Sequence, residues 1–321
     1  MALAVVHSPD EWIARFGNPR RRSAITIGNF DGVHLGHQQI LHTVLDRARR
    51  TDALAALLTF YPHPARVLRP AEAPALLETL EQRLAAIEAA GIDAALVTRF
   101  DTELANVSAE DFVRRFLLHT MGAQAVLVGG TFRFGHRGAG DTKLLGELGQ
   151  LWGFAVEIVP PVVENGVVVS STVIRTSLRD GRVDEARRML GRPYTLEGEI
   201  RTGTGQGRKL VVPTLNLATT QEVLPKNGVY ATEAIVGEKS YRAATNVGMR
   251  PTFDGARITI ESNLFDFSDE LTSGKLEVRF WRRLRDERKF SSPTELREQV
   301  LKDIERAKEY FYEATGEKNE H

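Results

Sequence analysis

The chain has no cysteine among its 321 residues. This absence excludes disulfide bonds, a thiolate nucleophile and cysteine-ligated zinc, and it fits a reducing compartment. The chain also lacks net charge, because Lys plus Arg and Asp plus Glu both number 42. No overall field draws it onto a nucleic-acid backbone or an acidic membrane, so we expect neither as a partner.

Long apolar runs are missing as well. No segment approaches the roughly 18 residues that cross a bilayer, and acidic residues follow the first apolar ones too closely for a signal-peptide core. We therefore expect a cytoplasmic protein. The composition that is present, 42% hydrophobic and 26% charged residues, predicts an ordinary globular protein, and the length predicts about two domains.

The pattern of apolar residues differs between the two halves of the chain, and we predict domains at residues 1–186 and 187–321. In the first, aliphatic runs alternate with helical patterns, which is typical of a doubly wound, Rossmann-like parallel sheet. The runs predict strands at residues 25–27, 55–60, 95–97, 125–128 and 154–159. In the second, closely spaced alternating strands predict an antiparallel β-barrel, covered by a C-terminal helix that is capped at Ser292.

The segment GNFDGVHLGH, residues 28 to 37, follows the first of these runs. In such a sheet this turn is a preferred seat for phosphate. Gly32 and Gly36 let the backbone approach phosphate oxygens, and His34 and His37 can donate hydrogen bonds to charge developing at an α-phosphate. Taken alone, the motif fits capping or solvated histidines equally well.

A metal site is the weaker alternative for the same turn. It would use Asp31, His34, His37 and His63. The spacing of the two histidines is not the helical i, i+4 pair of the zinc peptidases, and no neighbouring glutamate is placed as a base. The phosphate interpretation is therefore preferred.

Four stretches together resemble the adenylyltransferase module of the bacterial bifunctional riboflavin kinase/FMN adenylyltransferase (FAD synthetase) family. They are GNFDGVHLGH at 28–37, FYPHP at 60–64, VGGTFRFGHRGAGD at 128–141 and SSTVIR at 170–175. The resemblance spans residues 24 to 192 and implies an α/β nucleotidyltransferase fold. One departure is Thr131, which stands where relatives often have Asp or Asn.

This resemblance implies roles for particular residues. His34 and His37 would stabilise the transition state at the α-phosphate of ATP. The implied ATP-binding residues are Gly28, Asn29, Phe30, Asp31, Gly36, Ser171, Thr172 and Arg175. Beside these, Phe60, Pro62 and Pro64 predict a rigid apolar wall that suits either a flavin ring or plain packing. Phe132 lies on a glycine-rich loop that suits either flavin binding or a mobile cover. Without the family, Ser171 is simply a helix cap and Arg175 a surface charge.

Residues 187 to about 312 resemble the riboflavin kinase module of the same family. The matching stretches are GRKLVVPTLNL at 207–217, GVYAT at 228–232, NVGMRPTF at 246–253, ESNLFDF at 261–267 and LRDERKF at 284–290. The resemblance implies Mg²⁺ binding by Thr214 and Asn216 and a catalytic base at Glu261. We also expect ATP contacts at Gly207, Arg208 and Lys209 and a flavin contact at Arg285, with a rim that keeps the barrel soluble as the alternative role of these basic residues. Without the motifs, these are ordinary exposed polar residues.

The implied activity consists of two ATP-dependent reactions that require Mg²⁺. Riboflavin is phosphorylated to FMN, and FMN is adenylylated to FAD with release of pyrophosphate. The alternatives are an adenylyltransferase with a weakened kinase domain, a nucleotidyltransferase for another phosphorylated acceptor, and a flavin-binding carrier. We expect flavins and ATP as the small-molecule partners and a monomer or weak homo-oligomer.

Two departures from the kinase pattern bear on its activity. The family usually has a glycine and a small residue where this chain has Val211 and Leu215. If the glycine permits positive φ or close ligand approach, a β-branched residue there is strained or obstructive. Under this hypothesis Val211→Gly raises the rate of FMN formation, and an unchanged rate would remove the idea.

Overall fold

The computed structural model describes residues 2–201, 214–252, 255–267 and 271–315. Its contacts divide the chain into two compact units, Met1–Ser171 (unit 1) and Thr172–His321 (unit 2). The division by packing lies nearer the N-terminus than the predicted domain boundary at residues 186 and 187. That boundary, as a division between two functions, stays a prediction.

Unit 1 is built on a six-stranded sheet in which all neighbouring strands run parallel. The strands are β1 (Ala4–Val6), β2 (Ser23–Ile27), β3 (Leu54–Tyr61), β4 (Ala94–Arg99), β5 (Ala123–Gly129) and β6 (Ala155–Val159). Each predicted strand coincides with one of β2 to β6. Strand β1 was not predicted, although residues 2–6 form an aliphatic run like those of the other strands.

Helices flank both faces of this sheet. They are α1 (Pro9–Phe16), α2 (Leu35–Thr51), α3 (Pro64–Leu68), α4 (Leu80–Ala89), α5 (Thr102–Ala105), α6 (Ala109–Phe112) and α7 (Thr142–Trp152). A π-helix (Val113–Thr120), 3₁₀ turns (Pro70–Glu72, His136–Gly138) and the hairpin strands β7 (Val163–Glu164) and β8 (Val167–Val168) complete the unit.

Alternate residues of the strands enter two separate apolar cores. Ile25 and Ile27 pack in one core with Phe112, whereas Ala24 packs in the other with Leu41. Strand side chains alternate between the two faces of a sheet, so each face has its own layer of helices. The prediction of a doubly wound sheet is therefore confirmed.

The order of strands places the turn after β2 at a special position. The order across the sheet is β1-β4-β3-β2-β5-β6. From β2 the chain proceeds outward through β3 and β4, and then returns to add β5 and β6 on the opposite side. Ligands of open parallel sheets bind at such a reversal, beyond the carboxyl ends of the strands.

Unit 2 contains a closed antiparallel barrel of six strands. The strands are β9 (Tyr194–Arg201), β10 (Thr214–Ala218), β11 (Gly228–Val236), β12 (Lys239–Thr252), β13 (Gly255–Leu264) and β14 (Lys275–Arg285). Three further helices are α8 (Ser171–Arg179), which begins at the last residue of unit 1, α9 (Val183–Leu190) and α10 (Pro293–Thr315). The predicted barrel is confirmed.

Helix α10 covers one side of the barrel, as predicted. Ile304, Ala307 and Phe311 form a buried cluster with Ala231 of β11 and Ala244 of β12. The helix starts as expected, because Ser292 Oγ accepts a hydrogen bond from Glu295 N at 3.2 Å. No helix in the described part of the chain is both long and apolar enough to traverse a bilayer.

Candidate active sites

The two histidines of residues 28–37 lie side by side at the start of α2. Their rings stack with centroids 3.7 Å apart and 16° between planes. His34 is the N-cap of the helix, and its Nδ1 accepts a hydrogen bond from His37 N at 3.3 Å. A neutral His34 that accepts at Nδ1 carries its proton on Nε2. The capping alternative and the donor prediction are therefore compatible in one residue.

The backbone of this turn is tightly wound. Phe30, Gly32 and Val33 all have positive φ, at 52°, 87° and 34°. Phe30 and Val33 are also buried in the core below the turn, which holds the backbone in this unfavourable conformation. At Gly36 a Cβ atom would lie 3.2 Å from the His34 ring, so glycine keeps the imidazoles close to the helix start.

Asp31 braces the turn from within. Its side chain is 2% exposed, and Oδ1 accepts a hydrogen bond from Leu77 N at 2.9 Å. Its carbonyl oxygen accepts a hydrogen bond from Ser171 Oγ at 2.8 Å. Asp31 and Ser171, two predicted ATP ligands, are thus joined by a hydrogen bond, although they lie 140 residues apart in sequence. Their direct contact with ATP stays a prediction.

The remaining predicted ATP residues have the following positions. Gly28 donates its N–H to the Leu58 carbonyl at 3.1 Å, and Asn29 is half-buried. Thr172 and Arg175 belong to unit 2, in the first turns of α8, where Arg175 Nη1 lies 3.4 Å from Thr172 Oγ1. Their phosphate-binding roles stay predictions.

The predicted flavin wall is an aromatic edge of the core in unit 1. Phe60 and Phe132 both pack against the same apolar core, Phe60 with its ring 5.6 Å from that of Phe100. Phe132 stacks on Phe134 at 5.4 Å. Pro62 and Pro64 are half-buried, and Thr131 is exposed. Contact of these residues with flavin stays a prediction.

His63 has a structural task. It is the N-cap of α3, and its Nδ1 accepts a hydrogen bond from Ala65 N at 3.2 Å. Within the described ranges, no group of three His, Cys, Asp or Glu side chains is arranged to hold a metal ion. The choice between the phosphate interpretation and the metal alternative stays a prediction.

A polar row crosses the outer face of the barrel in unit 2. Asn216 of β10 is the direct register partner of Glu261 of β13, which is in turn the partner of Asn246 of β12. Directly opposed residues project on the same side of a sheet, so these three side chains are neighbours. In the next row Thr214 is the partner of Asn263. The predicted metal ligands and the predicted base thus share one face.

A cavity of about 270 Å³ adjoins this face. Thr214, Asn246, Glu261 and Asn263 form part of its wall, and Val300 and Asp303 of α10 form another part. Asn216 is not among the lining residues of the described structure. The cavity therefore combines the predicted base with an enclosing helix, as a small-molecule site requires.

Leu215 does not crowd this cavity. Its side chain is buried, and its register partner is Ser262, whose Oγ lies 2.8 Å from Thr245 Oγ1 inside the barrel. Neighbouring residues of a strand point to opposite faces, so Leu215 points away from Thr214 and Glu261. The bulk of Leu215 is therefore accommodated inside the barrel, and an effect of this residue on kinase activity stays a prediction. Gly207, Arg208, Lys209 and Val211 lie outside the described residues.

This position gives a stability prediction. We expect Leu215→Ala to lower the free energy of unfolding by about 2–5 kcal/mol, the usual cost of a cavity in a packed core. The KM values for ATP and riboflavin should not change. Chemical denaturation and initial-rate assays test this, with Leu301→Ala as a control, because Leu301 is exposed. A raised KM without loss of stability would contradict the assignment.

Comparison with known proteins identifies two family modules in the chain. The model of the FAD synthetase family matches residues 18–173, and that of the riboflavin kinase family matches residues 190–311. Bifunctional riboflavin kinase/FMN adenylyltransferases from Buchnera aphidicola and Bacillus subtilis are each 35% identical to this chain over 90% of its length. They are covered over 94% and 93% of their own lengths. The chain belongs to this bifunctional family.

Relatives from other bacteria extend the likeness over the same span. The bifunctional protein of Escherichia coli K12 is 34% identical over 91% of this chain and 94% of its own length. A solved structure from Streptococcus pneumoniae, described as a macrolide-efflux protein, has a TM-score of 0.85 and 27% identity, with 96% of this chain and 99% of that chain covered. That description applies to the other protein alone, and the family assignment does not depend on it.

Sequence reasoning missed several residues of these sites. Arg83 of α4 is 1% exposed, and its Nε and Nη1 have no hydrogen-bond partner within the described residues. Burial lowers the pKa of the Arg83 guanidinium, while the carboxylates of Asp31 and Glu78 act in the opposite direction. The buried Arg83 guanidinium therefore offsets the charge of the Asp31 carboxylate in the turn of residues 28–37. Its helical position carried no signal of this role.

Arg285 was predicted to bind flavin, and it does line the cavity. Its guanidinium is held by Asp303 of α10 through three contacts of 2.6 to 3.1 Å. Sequence reasoning did not identify Asp303 or Glu287, which also lines the cavity. Glu287 Oε2 accepts a hydrogen bond from Asn227 Nδ2 at 3.1 Å. Direct contact between Arg285 and flavin stays a prediction.

Proposed function

We propose that the chain phosphorylates riboflavin to FMN in unit 2 and adenylylates FMN to FAD in unit 1, with ATP as the donor in both reactions. The observation that carries the proposal is that each family module presents its own set of reactive groups. In unit 1 these are the paired imidazoles at the strand-order reversal. In unit 2 they are the carboxylate and amides beside the cavity.

In the adenylyl transfer, an oxygen of the FMN phosphate attacks the α-phosphorus of ATP. The bond from this phosphorus to the β-bridging oxygen breaks, and pyrophosphate leaves. Negative charge increases on the α-phosphate oxygens and the leaving group, where His34 Nε2–H and His37 can donate hydrogen bonds. The N-terminus of α2 adds its positive dipole end. The reaction therefore needs positioning and charge stabilisation more than a strong base.

In the phosphoryl transfer, Glu261 accepts the proton of the ribityl 5′-hydroxyl. The resulting oxygen nucleophile attacks the γ-phosphorus of ATP, and ADP leaves. Thr214 and Asn216 offer neutral oxygen ligands on the face that bears Glu261, and such hard ligands suit Mg²⁺ together with phosphate oxygens. When bound, Mg²⁺ would neutralise charge on the transferred group.

Flavin separation after incubation with riboflavin, ATP and Mg²⁺ tests the proposal. We expect FMN and then FAD. FAD formed only from supplied FMN would indicate an adenylyltransferase with an inactive kinase, and binding of flavin without turnover would indicate a carrier. Assays with other phosphorylated acceptors test the remaining alternative.

Mg²⁺, a cytoplasmic location and a monomeric or weakly associated state belong to the same proposal. ATP as co-substrate supports the location, and the hard oxygen ligands support the metal. Light scattering of the purified chain measures the oligomeric state. Metal dependence is measured by titrating Mg²⁺ back after chelation.

A further inference from the structure

The cavity of unit 2 contains an ion pair that the proposed chemistry does not use. Arg285 Nη2 lies 2.6 Å from Asp303 Oδ2, and Arg285 Nε lies 2.8 Å from Asp303 Oδ1. Arg285 Nη1 also donates to the Asp286 carbonyl at 2.8 Å, and Gln299 Nε2 donates to Asp303 Oδ1 at 2.9 Å. Strand β14 and helix α10 are thus joined by a fixed, bidentate pair.

Both partners are withdrawn from solvent. The Arg285 side chain is 16% exposed and that of Asp303 4%. Arginine stays protonated at any ordinary pH, so its charge in this cavity is compensated only by a neighbouring carboxylate. Loss of either partner would leave one poorly screened charge in the cavity wall.

The other charged groups of the cavity are already engaged or lie at its rim. Arg288 pairs with Glu295, and Glu287 accepts hydrogen bonds from Asn227 and from Met249 N. Arg297 is exposed. Glu261 is the predicted base. With Arg285 paired, the described wall therefore offers no strong, buried anion-binding cation.

This arrangement matters because the substrate and product of the proposed kinase reaction differ in charge. Riboflavin is neutral, whereas the phosphate monoester of FMN carries about −1.5 to −2 at pH 7, as phosphate monoesters do. An unpaired arginine in the cavity would attract the product more than the substrate. An arginine paired with a carboxylate discriminates far less between FMN and riboflavin.

We propose that Asp303 sets the charge selectivity of the flavin cavity by neutralising Arg285, so that FMN is released and not retained. Asp303 acts through Arg285 and is a positioning residue, not a catalytic one. The inference rests on the proposed kinase function. It predicts that substitutions of Asp303 and of Arg285 change the relative affinity for FMN and riboflavin in opposite directions. A pair with a purely structural role predicts no such opposition.

Initial rates of ADP release test the proposal, since only the kinase reaction forms ADP. The quantity to compare is Ki for FMN divided by KM for riboflavin, in the full-length chain at low ionic strength. For Asp303→Asn we expect this ratio to fall about tenfold, the factor that about 1.4 kcal/mol represents. For Arg285→Gln it should rise, because Asp303 is then the unpaired charge. High salt should shrink both changes.

Asp303→Glu is the matched control, because it keeps the charge while changing the length of the side chain. Its ratio should stay near that of the wild type even if KM changes. Circular dichroism and thermal denaturation report whether the barrel of each variant remains folded, and Arg285→Gln alone tests the sign if Asp303→Asn does not fold.

Three outcomes separate the ideas. Opposite shifts in the two variants support the inference. Shifts of the same sign, or an unchanged ratio in a chain that makes FMN, would overturn it and leave the kinase assignment intact. A wild-type chain that releases no ADP with riboflavin would overturn the kinase assignment and the inference with it.

Discussion

His37→Ala should reduce FAD formation from supplied FMN by about 10²–10³-fold, the usual cost of removing one donor to a developing oxyanion. FMN formation from riboflavin should stay at the wild-type rate. The reason is that His37 lies in unit 1, stacked 3.7 Å from His34, whereas the predicted kinase groups lie in unit 2. Separate assays of FMN and FAD measure both rates in one preparation.

The control for this variant is His42→Ala. His42 lies on the same helix but is exposed, so neither rate should change. His34→Ala is a less clean test, because His34 also caps α2, and loss of a cap costs about 1 kcal/mol of stability. Equal loss of both activities in His37→Ala would contradict independent sites, and unchanged FAD formation would remove His37 from the reaction.

Glu261→Gln should reduce FMN formation by about 10²–10⁴-fold, the contribution typical of a general base. FAD formation from supplied FMN should not change. The amide keeps the size of the side chain and its place in the row with Asn216 and Asn246, so the loss reports proton acceptance and not packing. Flavin separation with riboflavin or with FMN as the starting substrate measures the two rates.

Glu199→Gln is the matched control in the same barrel. Glu199 lies on β9 and is exposed, and we expect both rates to match the wild type. A Glu261→Gln protein that retains full kinase activity would show that the hydroxyl needs no protein base. Loss of FAD formation as well would contradict independent sites.

Local patterns were sufficient to predict most of the fold. Aliphatic runs of three or more residues predicted five of the six parallel strands, and the cap at Ser292 predicted the start of α10. These features depend on neighbours in sequence, which is why they can be recognised in one chain. The motif containing His34 and His37 was likewise local, since one turn of helix brings the two rings together.

Contacts between distant residues account for what could not be predicted. Nothing near Ser171 indicates that its hydroxyl donates to the carbonyl of Asp31, and nothing near Leu215 indicates on which face of the barrel it lies. Register decides the second question, because a shift of one residue exchanges the two faces of a strand. Leu215 departs from the family motif, but in the folded chain it is a packed residue of the barrel interior.

The sequence by itself determined the family, the two modules and the residue types of both proposed reactions, because motifs and strand patterns are properties of short segments. Only the tertiary structure decided that Asp31 is hydrogen-bonded to Leu77 and Ser171 within the turn of residues 28–37, and that Asp303 pairs with Arg285. The physical reason is that charge compensation in a poorly solvated cavity wall depends on the distances between charged groups. The order of residues along the chain does not give these distances.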